Sequence, residues 1–183
     1  MKHSLFRTIF IGYFVLVAAP ALAGETVSGR ALFSVEPLTT IPIGLIEDEH
    51  VLLHTTANAS QMEITGAEWL KDCSLLRTGT CDLILGRGSC FGYQIWVSPN
   101  GDYLVAKYSG VALRETGGDK TLPDTVLRGS WVYVNGSGIF AGIRGAGVYR
   151  GRYTSATEYA LEWSGEIERP RLAQPHESNR EER

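Results

Sequence analysis

Apolar and polar residues alternate with a period of two along most of the chain from Val27 onward, and a helical period is nearly absent. Val27, Gly29, Ala31, Phe33 and Val35 alternate with Ser28, Arg30, Leu32, Ser34 and Glu36, which predicts a first strand ending at Pro37. His50 to Thr56 and Gln61 to Thr65 predict two further strands on either side of a turn at Ala57-Asn58-Ala59-Ser60. Gly66 to Asp72 alone has the look of a helical turn. Phe91 to Val97 and Tyr103 to Tyr108 flank Ser98-Pro99-Asn100-Gly101-Asp102, a hairpin signal, because glycine and asparagine tolerate positive φ in tight turns. A strand over Val126 to Val134 meets a second Asn-Gly at Asn135-Gly136, and two more strands are predicted over Gly147 to Thr154 and Glu158 to Glu168. In the last of these Tyr159, Leu161, Trp163 and Ile167 share one face and Glu162, Glu166 and Glu168 the other, so one face is dry and one wet.

Roughly eight short strands with turn signals about every ten residues predict an all-β fold, a single antiparallel eight-stranded barrel of the calycin-like kind. Parallel folds are disfavoured because no helical stretch separates any two strands. Closure into a barrel removes exposed strand edges, and glycines within strands (Gly92, Gly129, Gly142, Gly151, Gly165) suit tight barrel corners.

The barrel domain is expected to span 24–168. Before it, Lys2, His3 and Arg7 precede an apolar run from Ile9 to Ala19 and then Pro20-Ala21-Leu22-Ala23, the three parts of a secretory signal peptide over 1–23. After it, 169–183 reads as a disordered polar tail. The expected location is therefore secreted or periplasmic. Removing 1–23 takes Lys2 and Arg7 from the 17 basic residues and none of the 20 acidic ones, so the net formal charge moves from −3 to −5. A mildly acidic chain without a basic cluster argues against a nucleic-acid partner. No later segment approaches the ~18 consecutive apolar residues of a membrane helix, so no membrane span is expected.

Export also permits a disulfide. Cys73, Cys81 and Cys90 lie within 18 consecutive positions, so one thiol is left over. All three pairings are open; Cys73 with Cys81 is the preferred one, since Arg77-Thr78-Gly79-Thr80 reads as an intervening turn. No zinc or haem spacing is present, and no metal or other cofactor is expected.

Asn135 to Tyr149 is rich in glycine but continues into an alternating strand rather than a helix, which excludes a nucleotide loop. Gly129-Ser130-Trp131-Val132-Tyr133-Val134 through Tyr149 resembles the signature of the allene oxide cyclase barrel-like superfamily, which includes plant dirigent proteins and many exported bacterial proteins. Ser137 stands where threonine is usual, and Asn100-Gly101-Asp102 departs from the pattern of the earlier hairpin. The resemblance covers residues 85–168. It implies an eight-stranded barrel with an apolar cavity, often oligomeric, and in plant members an isomerase or cyclase activity that depends on a shaped pocket. None of the family's catalytic residues matches a position here.

Tyr93, Trp131, Tyr133, Tyr149, Tyr153, Tyr159 and Trp163 supply the strands with many aromatic rings. Turned inward they would line a pocket with phenols as polar anchors, or simply fill a barrel whose interior admits side chains or one small ligand. His50 and His54 lie four apart, about 13 Å along a strand, too far to share an ion, and read as surface residues. Arg150 and Arg152 are expected to face solvent, opposite Tyr149 and Tyr153, and the same reading applies to Lys107. No glycosidase-like carboxylate pair or nucleophile elbow is present. The function expected is binding of a small hydrophobic molecule, with a homo-oligomer as a further expectation. The alternatives are an isomerase or cyclase acting on a reactive lipid-like or polyketide-like substrate, and a structural envelope protein without a pocket.

Overall fold

Nine strands follow the alternating pattern in the computed structural model, which describes residues 24–36, 39–44, 50–114 and 125–169. They are β1 (Glu25–Val35), β2 (Thr39–Pro42), β3 (His50–Thr65), β4 (Ser74–Ile84), β5 (Arg87–Val97), β6 (Tyr103–Arg114), β7 (Thr125–Gly136), β8 (Arg144–Tyr153) and β9 (Glu158–Glu168). The hydrogen-bonded order is β1-β9-β8-β7-β6-β5-β4-β3-β2, every pair is antiparallel, and β1 also pairs with β3. Eight strands thus close into a barrel, and β2 extends β3 beyond the point where β1 leaves it. The expected signal peptide and polar tail lie outside the described residues.

β3 is longer than the alternating pattern predicts. Ala57-Asn58-Ala59-Ser60 is not a turn but the middle of one sixteen-residue strand, paired with both β1 and β4. The irregular pattern there comes from a bulge opposite Leu32 and Phe33, where Ser60 is the additional residue and donates to the Leu32 carbonyl. Asn135-Gly136 also stays within a strand: Leu104 pairs with Gly136 and Val105 with Asn135, and a second bulge then shifts Ala106 to Tyr133.

Two hairpins show how local chemistry sets register. At Ser98–Asp102 the Gly101 amide donates to the Ser98 carbonyl and Gly101 alone takes positive φ (+86°), so this hairpin differs from the two-residue mirror turn expected of Asn-Gly. That mirror turn occurs instead between β4 and β5, where Leu85 (φ 52°) and Gly86 (φ 75°) connect the Ile84–Arg87 pair.

One end of the barrel, where β3 meets β4 and β7 meets β8, carries two single 3-10 turns, Glu68–Leu70 and Gly138–Phe140. Leu70 and Phe140 are fully buried there, and Trp69 packs on Phe140 with ring centroids 5.6 Å apart. The glycine-rich segment therefore builds a plug. Gly138 has positive φ (+50°) and lies against the Asp102 carboxylate, which accepts the Ile139 amide at 3.2 Å.

Cys81 pairs with Cys90, not with Cys73. The segment Arg77–Thr80 lies inside β4, so Cys73 and Cys81 are separated by about 25 Å of extended chain. Cys81 and Cys90 stand directly opposite on β4 and β5, with Cα atoms 4.0 Å apart.

Two expectations follow for stability. Leu85 is exposed and occupies a left-handed conformation that costs a branched side chain ~1 kcal/mol. Leu85→Asn should therefore raise stability by ~0.5–1 kcal/mol in chemical denaturation, with the midpoint moving and the slope unchanged. Reducing Cys81–Cys90 should lower stability by ~2–3 kcal/mol, read as a fall in the denaturation midpoint on adding a thiol reductant.

Candidate functional site

The barrel interior is built from alternate residues of the eight barrel strands. On β4 these are Leu75, Arg77, Gly79, Cys81 and Leu83; on β5, Cys90, Gly92, Gln94 and Trp96; on β6, Leu104, Ala106, Tyr108 and Ala112. β7 to β9 add Leu127, Trp131, Tyr149, Tyr153, Tyr159, Leu161 and Trp163, all buried.

So many rings fit because they lie over glycines of the neighbouring strands on the same wall. A methyl group at Gly79 would meet the Tyr108 hydroxyl and the Phe91 carbonyl, and one at Gly110 or Gly129 would meet the Tyr149 ring or hydroxyl. Gly165 stands beneath Trp131 in the same way, and Gly29 beneath Trp163. Gly129 and Gly165, expected at corners of the barrel, instead make room for aromatic side chains.

Six of the seven aromatic residues singled out by sequence turn inward: Trp131, Tyr133, Tyr149, Tyr153, Tyr159 and Trp163. Tyr93 does not. It is 46% exposed on the outer wall beside Phe91, because the register of β5 puts Gly92, Gln94 and Trp96 inside. Arg150, Arg152 and Lys107 are exposed, as expected. His50 and His54 are on β3, where His50 Nε2 lies 2.6 Å from Asp82 Oδ1 and His54 Nδ1 lies 3.2 Å from Thr80 Oγ1. Among the described residues no group of three or more metal-ligating side chains converges.

At the centre is a residue that sequence reading had placed in a turn. Arg77 is 5% exposed, and its guanidinium carbon lies 3.9 Å from the centroid of the Tyr108 ring, 4.9 Å from Tyr149 and 5.7 Å from Tyr159. The cage extends outward: Phe33 stacks on Tyr159 at 4.9 Å, Tyr153 packs on Tyr159 at 5.3 Å, and Tyr108 meets Tyr149 edge-on at 5.9 Å. Gln94, also buried, is the cross-strand partner of Arg77. Tyr108 donates to the Thr78 carbonyl at 3.4 Å.

Two of the three guanidinium nitrogens, Nε and Nη1, are buried without a hydrogen-bond partner, and so is the Trp131 Nε1 group. The buried polar side chains among the described residues are Arg77, Gln94, Ser98 and Thr125, which include no carboxylate. An unpaired charge buried in this way costs several kcal/mol. Desolvated cation–π contacts of ~2 kcal/mol each recover part of that. Burial works against the Arg77 charge, but the phenols of Tyr159, Tyr108 and Tyr149 outweigh it, so the guanidinium is held protonated above its ordinary value. Burial raises the phenols of Tyr149, Tyr153 and Tyr159 above the usual tyrosine range, with Arg77 pulling the other way. Tyr133 is raised by burial, with Cys73 adding to it. At neutral pH the cluster therefore presents one fixed positive charge and several O–H donors.

Among the described residues the outer wall has depressions of about 500 Å³ across β1, β3, β8 and β9 and about 450 Å³ across β1, β3 and β9. Arg30 lines both and pairs there with Glu63 at 2.8 Å, and the Glu162 carboxylate lies alongside. Charge is compensated within these shallow surfaces, whereas in the interior it is not.

No protein-family model matches the chain, and no curated protein is similar to it. Solved structures similar in shape include two proteins of unknown function. One is a conserved protein of unknown function from Rhodopseudomonas palustris, 10% identical, with a TM-score of 0.45, the match covering 80% of this chain and 99% of that one. The other is a protein of unknown function from Clostridium acetobutylicum, 10% identical, with a TM-score of 0.44, covering 79% and 95% of the two chains.

The buried phenols give a prediction for alkaline pH. Their folded pKa values lie above the ordinary value of 10.0, so the folded protein holds these protons more tightly than the unfolded chain. The associated stability is complete below about pH 10 and is lost as pH rises further, because the unfolded chain ionises first. Ultraviolet titration should show a late tyrosinate step that coincides with unfolding, and Tyr159→Phe should diminish it.

Proposed function

We propose that this barrel binds a small hydrophobic molecule in its interior, within an exported protein. The observation that carries this reading is a cluster of convergent polar groups, Arg77, Gln94 and the surrounding phenols, at the centre of an otherwise apolar, ring-lined interior. Ligand sites have this composition: mostly apolar and aromatic walls, with a few polar groups that fix orientation. The interior of an eight-stranded barrel is either filled by side chains or holds one small ligand of this kind. The Cys81–Cys90 disulfide supports export, since such bonds persist in oxidising compartments.

Native mass spectrometry of the chain purified from its source should reveal a co-purifying small molecule. After its removal, the neutral probe N-phenyl-1-naphthylamine should bind saturably at one site per chain, with energy transfer from the interior tryptophans Trp131 and Trp163. The exposed-wall variant Tyr93→Ala should leave that uptake unchanged. Absence of any co-purifying molecule together with no saturable uptake of the probe would overturn the reading.

A further inference from the structure

We propose that the ligand is a monoanion, an apolar molecule carrying one carboxylate, and that Arg77 is the residue that pairs with it. The inference rests on the interior-binding reading above and adds the chemical class of the ligand.

The interior holds one positive charge and, among the described residues, no buried carboxylate to neutralise it. The nitrogens Nε and Nη1 are both buried and both without a partner. A guanidinium has five N–H donors and no acceptor, so only an electron-rich group can satisfy them. Tyr108, Tyr149 and Tyr159 offer the cation their ring faces and hydroxyl oxygens, yet Nε and Nη1 keep no partner. An incoming carboxylate would supply both the missing charge and the missing acceptors, in charge-assisted hydrogen bonds stronger than neutral ones.

Two features narrow the class. A single guanidinium balances a single negative charge, which fits a carboxylate better than a phosphate dianion, whose second charge would remain buried and unpaired. The remainder of the wall, with Phe33, Leu161, Trp131 and Trp163, requires an apolar body attached to that head. The phenols of Tyr149 and Tyr159 remain protonated at neutral pH, so they act as donors toward a carboxylate oxygen rather than repelling it.

The test compares matched probes on the unmodified full chain by calorimetry at neutral pH: cinnamate against cinnamyl alcohol, and inorganic phosphate and chloride alone. Cinnamate should bind at least about tenfold more tightly than the alcohol, the margin of one hydrogen bond to a charged group. The inorganic ions should bind more weakly than cinnamate. Arg77→Met, close in volume and uncharged, should abolish the preference for cinnamate while keeping uptake of N-phenyl-1-naphthylamine, and Arg77→Lys should retain part of it. The comparison on the unmodified chain decides the matter even where a variant fails to fold.

Equal binding of cinnamate and its alcohol would overturn the monoanion assignment and leave the interior-binding reading standing. Phosphate or chloride binding as tightly as cinnamate would overturn it in favour of a bare ion site. Failure of both cinnamyl probes and of the naphthylamine to bind would overturn both readings.

Discussion

Eight strands closed on themselves leave an interior scarcely wider than the side chains that enter it, and that limit governs which residues this chain can place there. Large rings are admitted where the adjacent strands beneath them are bare of side chains. Gly79 and Gly92 lie under Tyr108, Gly110 and Gly129 under Tyr149, and Gly165 under Trp131. The glycines are spread over five strands, so this complementarity depends on the stagger of the whole barrel. The rings in turn enclose Arg77 and keep water from it.

Polarity is arranged inside out relative to a barrel that faces lipid. The outer wall carries Arg30, Lys107, Arg150, Glu162 and Glu166 alongside exposed apolar residues such as Phe91, Tyr93, Val132 and Val148, while the inner wall carries most of the aromatic residues. A lipid-facing barrel has an outward apolar band and a polar lumen. Among the described residues there is also no helix long and apolar enough to cross a membrane. Among the described residues Arg77 is the one full charge turned inward, and its uncompensated state is what distinguishes the interior from a simple packed core.

Much of the architecture was legible in the alternating pattern. β9 spans Glu158–Glu168 as the pattern indicated, and its dry and wet faces are those of the structure. Errors arose where local signals compete with pairing. Ala57-Asn58-Ala59-Ser60 and Asn135-Gly136 have turn composition, yet each lies in a strand that stays paired through a bulge of its own. Arg77-Thr78-Gly79-Thr80 was misread for the same reason, and the error carried over to the cysteines. With β4 continuous, Cys73 and Cys81 cannot meet, and the thiol opposite Cys81 belongs to Cys90.

The period-two pattern by itself determined an antiparallel barrel-forming chain and which face of most strands is dry, because alternation along a strand is a local property. It could not decide the face of β5, where the outward set Phe91, Tyr93 and Ile95 is more apolar than the inward set Gly92, Gln94 and Trp96. Nor could it place Arg77 among Tyr108, Tyr149 and Tyr159, which come from β6, β8 and β9. Those residues meet across the lumen only after hairpins and bulges have fixed the register of strands far apart in sequence. Tertiary closure alone decides which side chains share the interior, and with them the chemistry it can perform.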